Sequence, residues 1–123
     1  MLPQSNINTG KYGEKIGVKY LKKIGYKILE LNYRCPFGEI DVVTKYKGFL
    51  VFVEIKTRLQ SAYGLPEEAV HKAKQRKIAQ VAAWYLKQNG LSDVLTRFDV
   101  LAILLNLSGK HQFELIENAF EVE

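Results

Sequence analysis

Two acidic residues and a lysine form the most chemically informative pattern in the chain. Asp41 lies in one run of alternating polar and apolar residues, and Glu54 and Lys56 lie in the next. Alternation of this kind is the period-2 pattern of strands. Lys47-Gly48 between the runs suits a two-residue hairpin turn, because glycine accepts a positive φ angle. We therefore predict a hairpin whose two strands carry the three charged side chains.

The turn also predicts which residues face each other. If Tyr46 pairs with Phe49, the register places Asp41 directly opposite Glu54. Facing carboxylates repel, and apolar surroundings strengthen the repulsion. A divalent cation between them would remove that cost, and oxygen ligands favour Mg²⁺ or Mn²⁺ over zinc. Lys56 shares the face of Glu54, so two acids, a lysine and a hard metal would form a site for phosphodiester cleavage.

A solvated strand face is the alternative explanation of these charges. Isolated charged pairs on strands usually point to solvent. Here three charges share one face inside segments rich in Val, Ile and Phe, which favours the metal site. The same alternation predicts that Ile40 and Val42 share the opposite face of their strand.

A helix is predicted from about Thr9 to Ile24, with Gly25 as its stop. Its inward-facing positions follow helical spacing: Glu14, Gly17, Val18 and Leu21. An acid on the apolar side of a helix costs stability unless it has a partner. Two interpretations of Glu14 stay open: a first-turn carboxylate favoured by the helix dipole, or a group that reaches the metal site.

The remaining elements follow from turns and periodicity. We predict strands at 26–33, 97–105 and 113–116, a turn at 34–38, a loop at 58–65, and a helix at 66–89 that breaks near His71. Val70, Ala73, Ile78, Val81, Ala82, Tyr85 and Leu86 are its predicted inward positions. The order α-β-β-β-α-β-β predicts an α/β fold with a mixed central sheet flanked by helices. Residues 1–123 are expected to form one domain, with residues 1–8 flexible.

Basic residues follow the predicted site strand. The loop begins with Arg58, and the early part of the second helix carries Lys72, Lys74, Arg76 and Lys77. Such charge runs are usually only solubilising, but this position makes contact with nucleic-acid phosphates the alternative. We predict Arg58, Lys74 and Gln75 as nucleic-acid contacts.

Composition narrows the functional class. The 123 residues carry a formal net charge of +5, with a pI of about 9.3, which favours nucleic acid over a membrane as partner. Cys35 is the only cysteine, so an intrachain disulfide and a cysteine-based metal site are excluded. Residues 1–9 lack a signal-peptide pattern and the apolar run at 100–105 is too short to span a bilayer, so we expect a cytoplasmic protein without membrane contact.

Short motifs spread along the chain resemble the YraN family of small bacterial proteins. They are Gly13-Glu14, Asn32-Tyr33-Arg34, Gly38-Glu39-Ile40-Asp41, Phe52-Val53-Glu54-Ile55-Lys56, Ala69-Val70 with Lys74-Gln75, Arg97-Phe98-Asp99-Val100 and Asn118-Ala119-Phe120. Asp41 followed by Glu54-Ile55-Lys56 also resembles the PD-(D/E)xK nuclease signature, with Ile40 where the signature has proline. The family in turn resembles archaeal Holliday-junction resolvases.

The resemblance implies a restriction-endonuclease-like fold and a metal-dependent endonuclease that acts on DNA rather than RNA, including branched or structured DNA. Asp41 and Glu54 would bind Mg²⁺ or Mn²⁺, with the carbonyl of Ile55 as a further ligand. Glu14 would contribute to the metal site directly or through water. Lys56 would orient the attacking water or stabilise the pentacovalent phosphate.

Two alternatives come from other functional classes. One is a non-catalytic nucleic-acid-binding module that keeps the fold, and the other is a protein-interaction subunit. The intact acids and Lys56 argue against the first, since a binding module has no need for buried acids. Arg34 joins the expected nucleic-acid contacts through the resemblance, and a homodimer is a further expectation.

Overall fold

The computed structural model describes the backbone of residues 6–59 and 70–121, with side chains from residue 9 onward. Its elements are α1 (Asn6–Lys23), β1 (Lys27–Cys35), β2 (Gly38–Tyr46), β3 (Phe49–Leu59), α2 (Lys72–Gln88), β4 (Thr96–Leu105) and β5 (Gln112–Ile116). This is the predicted order of helices and strands. The expectations for residues 1–5, for most of the loop, and for the helix start at Pro66 lie outside the described residues.

The five strands form one mixed sheet in the order β1-β2-β3-β4-β5. Neighbouring strands are antiparallel except β3 and β4, which are parallel. A parallel pair needs a crossover connection, and α2 lies in that connection. Five of the ten residues of β4 are buried, in agreement with the continuous apolar sequence that predicted a buried strand. The α/β prediction with a mixed central sheet is confirmed.

The two helices cover opposite faces of the sheet. Leu21 of α1 packs with Val53 and Ile103 in one apolar core. Val81 of α2 packs with Phe52 in the other. Because both faces are covered, the side chains on both sides of the central strands lie inside the protein. Neither α1 nor α2 has the length and apolar character that crossing a bilayer requires.

Two glycines let α1 lie close to β3. A Cβ atom on Gly17 would lie 3.0 Å from Cδ1 of Ile55, and one on Gly13 would overlap the side chain of Thr57. The contact at Gly17 would be tight, but an overlap like that at Gly13 is not found for real Cβ atoms. A larger residue at Gly13 would therefore push the helix away from the strand. The helix carries Glu14 beside this contact.

The structure corrects two expectations about the helices: the start of α1 and the inward position of Ala73. α1 begins at Asn6, before the predicted start at Thr9, while Gly25 ends it as predicted, with a φ of 103°. α2 begins at Lys72, with His71 as its N-cap, so the predicted break near His71 is confirmed. Ala73 is exposed and not inward-facing, because it lies in the first turn of α2, ahead of the buried positions that start at Ile78.

The side chains of β2 change direction at Asp41. Ile40 packs in the core under α2, whereas Val42 packs in the core under α1, so the prediction that they share a face is wrong. The facing residue of β1, Asn32, has a φ of 50°, outside the range of a regular strand. Such irregularities re-aim side chains, and this one lies at the acidic residue of interest.

Candidate functional site

One open cleft contains the candidate site residues. It has a volume of about 330 Å³ and lies where β2 and β3 diverge, between the early parts of the two helices. Its charged lining consists of Glu14, Glu39, Asp41, Glu54, Lys56 and Lys74. The structure therefore brings together the four predicted catalytic residues, which come from one helix and two strands. Lys74 lines the same cleft from a further element, the helix α2.

The central hairpin has the predicted turn and register. Lys47 and Gly48 have φ angles of 48° and 85°, which is the pattern of a type I′ turn. The strands pair from Tyr46 with Phe49 to Val42 with Val53. The described pairing ends at this last pair, immediately before the two acids, so the predicted direct pairing of Asp41 with Glu54 is not among the described pairs.

Where the backbone pairing of β2 with β3 ends, the side chain of Asp41 takes the place of a backbone hydrogen-bond acceptor. Its Oδ2 atom accepts a hydrogen bond of 2.8 Å from the backbone N–H of Ile55. The carboxylate is thereby held against β3, next to the residue that follows Glu54. Burial raises the pKa of Asp41, while the Ile55 N–H and the charge of Lys74 oppose that shift.

Glu54 is the most deeply buried acid in the cleft. Its side chain is only 8% exposed, and Oε2 lies 3.4 Å from Nζ of Lys74. Its second oxygen, Oε1, is buried with no hydrogen-bond partner among the described residues, which is costly for a polar atom. Burial, followed by the charge of Asp41, raises the pKa of Glu54 to about 8, although Lys74 favours the charged form.

Glu14 completes the acidic side of the cleft from α1. Burial raises its pKa, as do the nearby charges of Asp41 and Glu39, and a hydrogen bond with the Asn32 side chain acts in the opposite direction. The interactions of Glu14 thus extend to the cleft acids, in agreement with the second of its two interpretations. The sequence did not predict the contact between Glu14 and Asn32. The positive φ angle of Asn32 suits its residue type, because asparagine tolerates a positive φ better than most residues.

The donor set fits a hard divalent cation. No group of three or more His, Cys, Asp or Glu side chains that could by itself hold a metal ion occurs within residues 6–59 and 70–121. Asp41 and Glu54 offer two carboxylates, and the unpartnered Glu54 Oε1 is an acceptor that a cation would satisfy. Mg²⁺ commonly binds through one or two carboxylates and keeps several waters. Glu14 then suits a position that acts through water better than direct ligation.

Two basic residues reach the cleft in different states. Lys56 forms no ion pair with the acids of the described chain, whereas Lys74 pairs with Glu54. Lys74 was expected only as a nucleic-acid contact. Helical spacing could have shown that Lys74 shares the inward face of α2, since it precedes Ile78 by four residues and Val81 by seven. It could not have shown that this face meets Glu54.

The other predicted nucleic-acid contacts have varied surroundings. Arg34 is exposed, and its Nε lies 2.9 Å from Oε2 of Glu39. The Gln75 amide donates a 2.9 Å hydrogen bond to the carbonyl of Val70, which anchors the bend before α2. Arg58 belongs to β3 and not to a loop, because that strand extends to residue 59.

The fold and the cleft define an α/β protein with an acid-lined, lysine-containing candidate metal site. The profile of a family described as "Uncharacterised protein family UPF0102" matches residues 13–103. The chain belongs to this family, and the resemblance to YraN proteins is confirmed.

Curated relatives match over nearly the whole chain. A "UPF0102 protein" of Pelobacter propionicus is 50% identical over 119 residues, covering 95% of this chain and 85% of that protein. One of Syntrophus aciditrophicus is 45% identical, with coverage of 95% and 91%. One of Clostridium botulinum strain Hall is 44% identical, with coverage of 95% and 97%.

A solved structure was also matched, that of Pyrococcus furiosus SfsA in complex with Ca²⁺. The sequence identity is 15% and the TM-score is 0.34. The match covers 93% of this chain and 64% of that chain, so this chain spans less than two thirds of its length.

Proposed function

We propose that this protein is a metal-dependent endonuclease of the restriction-endonuclease-like class that hydrolyses phosphodiester bonds of DNA, with branched or structured DNA as the expected substrate. The observation that carries the proposal is the half-buried Asp41 beside the buried Glu54, in the same cleft as Lys56. Oε1 of Glu54 has no hydrogen-bond partner among the described residues. Placing two acids together in a buried site costs folding free energy, and a bound cation would offset that cost. The cytoplasm, where nucleic acid is present, is the expected compartment.

The residues that would hold Mg²⁺ or Mn²⁺ are Asp41, Glu54 and the carbonyl group of Ile55. When bound, the metal would make a water molecule more acidic and neutralise charge on the phosphate. The all-oxygen character of this donor set supports Mg²⁺ or Mn²⁺ over a transition metal that prefers nitrogen or sulfur.

Lys56 would act directly on the reacting phosphate. Its ammonium group would donate a hydrogen bond to a non-bridging oxygen, where negative charge accumulates as water attacks phosphorus. The water oxygen would form the new bond to phosphorus and release a proton to solvent. The bond from phosphorus to the leaving oxygen would break, and that oxygen would take up a proton from solvent. One product end carries the phosphate and the other a hydroxyl group. Glu14 would accept a hydrogen bond from water at the edge of the cleft.

Nucleic-acid binding would use the positive surface next to the cleft. Lys72, Arg76 and Lys77 are exposed on the first half of α2, and the chain as a whole carries a net charge of +5. Contacts of this kind are to phosphates and carry no sequence information. The affinity would therefore fall steeply as salt is added.

The test is a cleavage panel with linear, flapped and four-way DNA in Mg²⁺ or Mn²⁺. We expect Asp41→Asn and Glu54→Gln to lower the cleavage rate by about 100-fold or more, the scale seen when one essential electrostatic group is removed. Asp93→Asn and Glu114→Gln are the matched controls, because both side chains are exposed.

Two outcomes would contradict this proposal. Cleavage by both site variants at the wild-type rate would exclude the assigned acids. Binding of DNA without cleavage of any of the three substrates in either metal would favour the non-catalytic nucleic-acid-binding module.

A further inference from the structure

The ion pair between Glu54 and Lys74 joins the sheet to α2 inside the cleft. The distance from Nζ to Oε2 is 3.4 Å, and the Lys74 side chain remains 40% exposed while that of Glu54 is 8% exposed. The ammonium group thus reaches a buried carboxylate while part of its side chain stays in solvent. Its stem is a flexible chain of four methylene groups, so the ammonium can leave Glu54 without movement of the helix backbone.

Lys74 compensates the acid pair only in part. Its single positive charge favours the ionised forms of both Asp41 and Glu54. The Oε1 atom of Glu54 nevertheless has no hydrogen-bond partner among the described residues. A doubly charged cation with several oxygen ligands would supply the contact and the charge that one ammonium leaves missing.

A divalent cation at these acids and an ammonium 3.4 Å from Glu54 would repel each other strongly at such short range. The metal ion and the Lys74 ammonium group cannot both keep Glu54 as their main partner. Since the metal is bound by more groups and Lys74 has access to solvent, Lys74 is the group that would move.

We propose that Lys74 is the resident counter-cation of the Asp41–Glu54 pair and that a divalent metal ion displaces it. The freed ammonium group then faces the same cleft and can bind a phosphate group of the nucleic acid. This inference rests on the metal site of the proposed function. It assigns Lys74 a role in both the metal-free and the metal-bound protein and links metal binding to phosphate binding.

The test is calorimetric titration of the full-length protein with Mn²⁺, without nucleic acid. Lys74→Met should bind Mn²⁺ about tenfold more tightly than the wild type, because removal of one competing ion pair changes an equilibrium constant by roughly one decade. Lys87→Met is the matched control, since this exposed lysine in the last turn of α2 lies outside the proposed nucleic-acid surface and is not an ion-pair partner of the described acids. We expect the control to keep wild-type affinity.

A measurement on the unaltered protein covers the case in which Lys74→Met does not fold. The Lys74 Cε resonance, assigned by its absence in Lys74→Arg, should shift on addition of Mg²⁺ toward the position of a solvated lysine, while the Lys87 resonance stays in place. A Lys74 resonance that does not respond to bound metal would overturn the inference.

The failure of this inference can be told apart from failure of the nuclease proposal. Wild-type metal binding with an equal or weaker affinity in Lys74→Met overturns only the role of Lys74. Tighter metal binding by Lys74→Met, combined with no DNA cleavage by the wild type, supports the role of Lys74 and counts against the nuclease proposal. The absence of metal binding in both proteins overturns both.

Discussion

Glu54 combines three features that disfavour a charged carboxylate: burial, a neighbouring acid and an oxygen without a hydrogen-bond partner among the described residues. Lys74 offsets these features only in part. Asp41 and Glu14 also have raised pKa values, for each of which burial is the largest cause. The cleft therefore binds protons more readily than isolated acids would, and a cation would take the place of those protons.

We predict that the metal-free protein loses stability as the pH rises from about 5 to about 8. The pKa of Glu54 is raised from 4.5 to about 8 in the folded chain, so within this window the folded state holds a proton that the unfolded state has lost. Stability falls with rising pH under that condition, here by roughly 1–3 kcal/mol. Urea denaturation with a chelator present, at several pH values, measures it.

Glu54→Gln should remove most of this pH dependence, since an amide does not titrate, whereas the exposed control Glu114→Gln should keep it. If the difference in folding stability between wild type and Glu54→Gln does not change with pH, Glu54 is not the source of the pH dependence. Added Mg²⁺ should restore the stability of the wild type at the upper end of the range, because it binds the ionised carboxylates of the folded state.

At the level of elements, the contact of α1 with β3 positions Glu14. Gly13 adjoins Glu14 and lies against Thr57 with no room for a Cβ atom, whereas Gly10 has no described atom within 4 Å beyond its own helix and chain neighbours. The two glycines lie on the same helix, yet only one is required for close packing. The difference provides a matched pair of variants.

Gly13→Ala should destabilise the protein by about 1–3 kcal/mol, because the helix must move away from the strand. Gly10→Ala should stabilise it by about 0.5–1 kcal/mol, because alanine favours the helix. Urea denaturation of both variants checks the pair. A stability of Gly13→Ala equal to or above that of wild type would show that this close approach is not needed.

At the level of the whole molecule, Asp99 connects segments that are distant in sequence. It is fully buried and accepts hydrogen bonds from the Tyr26 hydroxyl at 2.7 Å, from Arg97 at 2.9 and 3.0 Å, and from the Asn118 N–H at 2.9 Å. Burial and this acceptor raise the pKa of Tyr26. Arg97 of this network lies over the rings of Tyr46 and Phe49, which flank the hairpin turn. None of the four residues lines the cleft.

Asp99→Asn should cost about 3–5 kcal/mol of folding stability, because it leaves Arg97 without its buried partner. Metal affinity of the folded variant should stay at the wild-type level, since the network does not reach the cleft. Glu117→Gln is the control, as Glu117 pairs with Arg97 at 3.6 Å through a side chain that is 52% exposed, and its loss should cost less than about 1 kcal/mol. Chemical denaturation and Mn²⁺ calorimetry measure the two effects, and equal costs for both variants would contradict this reasoning.

Local patterns in the sequence were sufficient for the hairpin and for the order of the elements. Turn chemistry at Lys47-Gly48 and period-2 alternation predicted the register that the structure contains. That register brings Asp41 close to Glu54, because both lie on adjacent strands joined by a short turn. The family membership also followed from the sequence, since the family profile matches residues 13–103 and a relative matches 95% of the chain.

Long-range packing decided the rest of the site. The irregularity at Asn32 re-aims β2 at Asp41, and the packing of α2 brings Lys74 to Glu54. Periodicity identifies which residues of an element share a face, but it does not tell which faces of distant elements meet. That choice depends on the fit of whole surfaces, such as the close approach at Gly13. The sequence by itself thus determined the acids and their hairpin, and only the tertiary structure decided which lysine neutralises them.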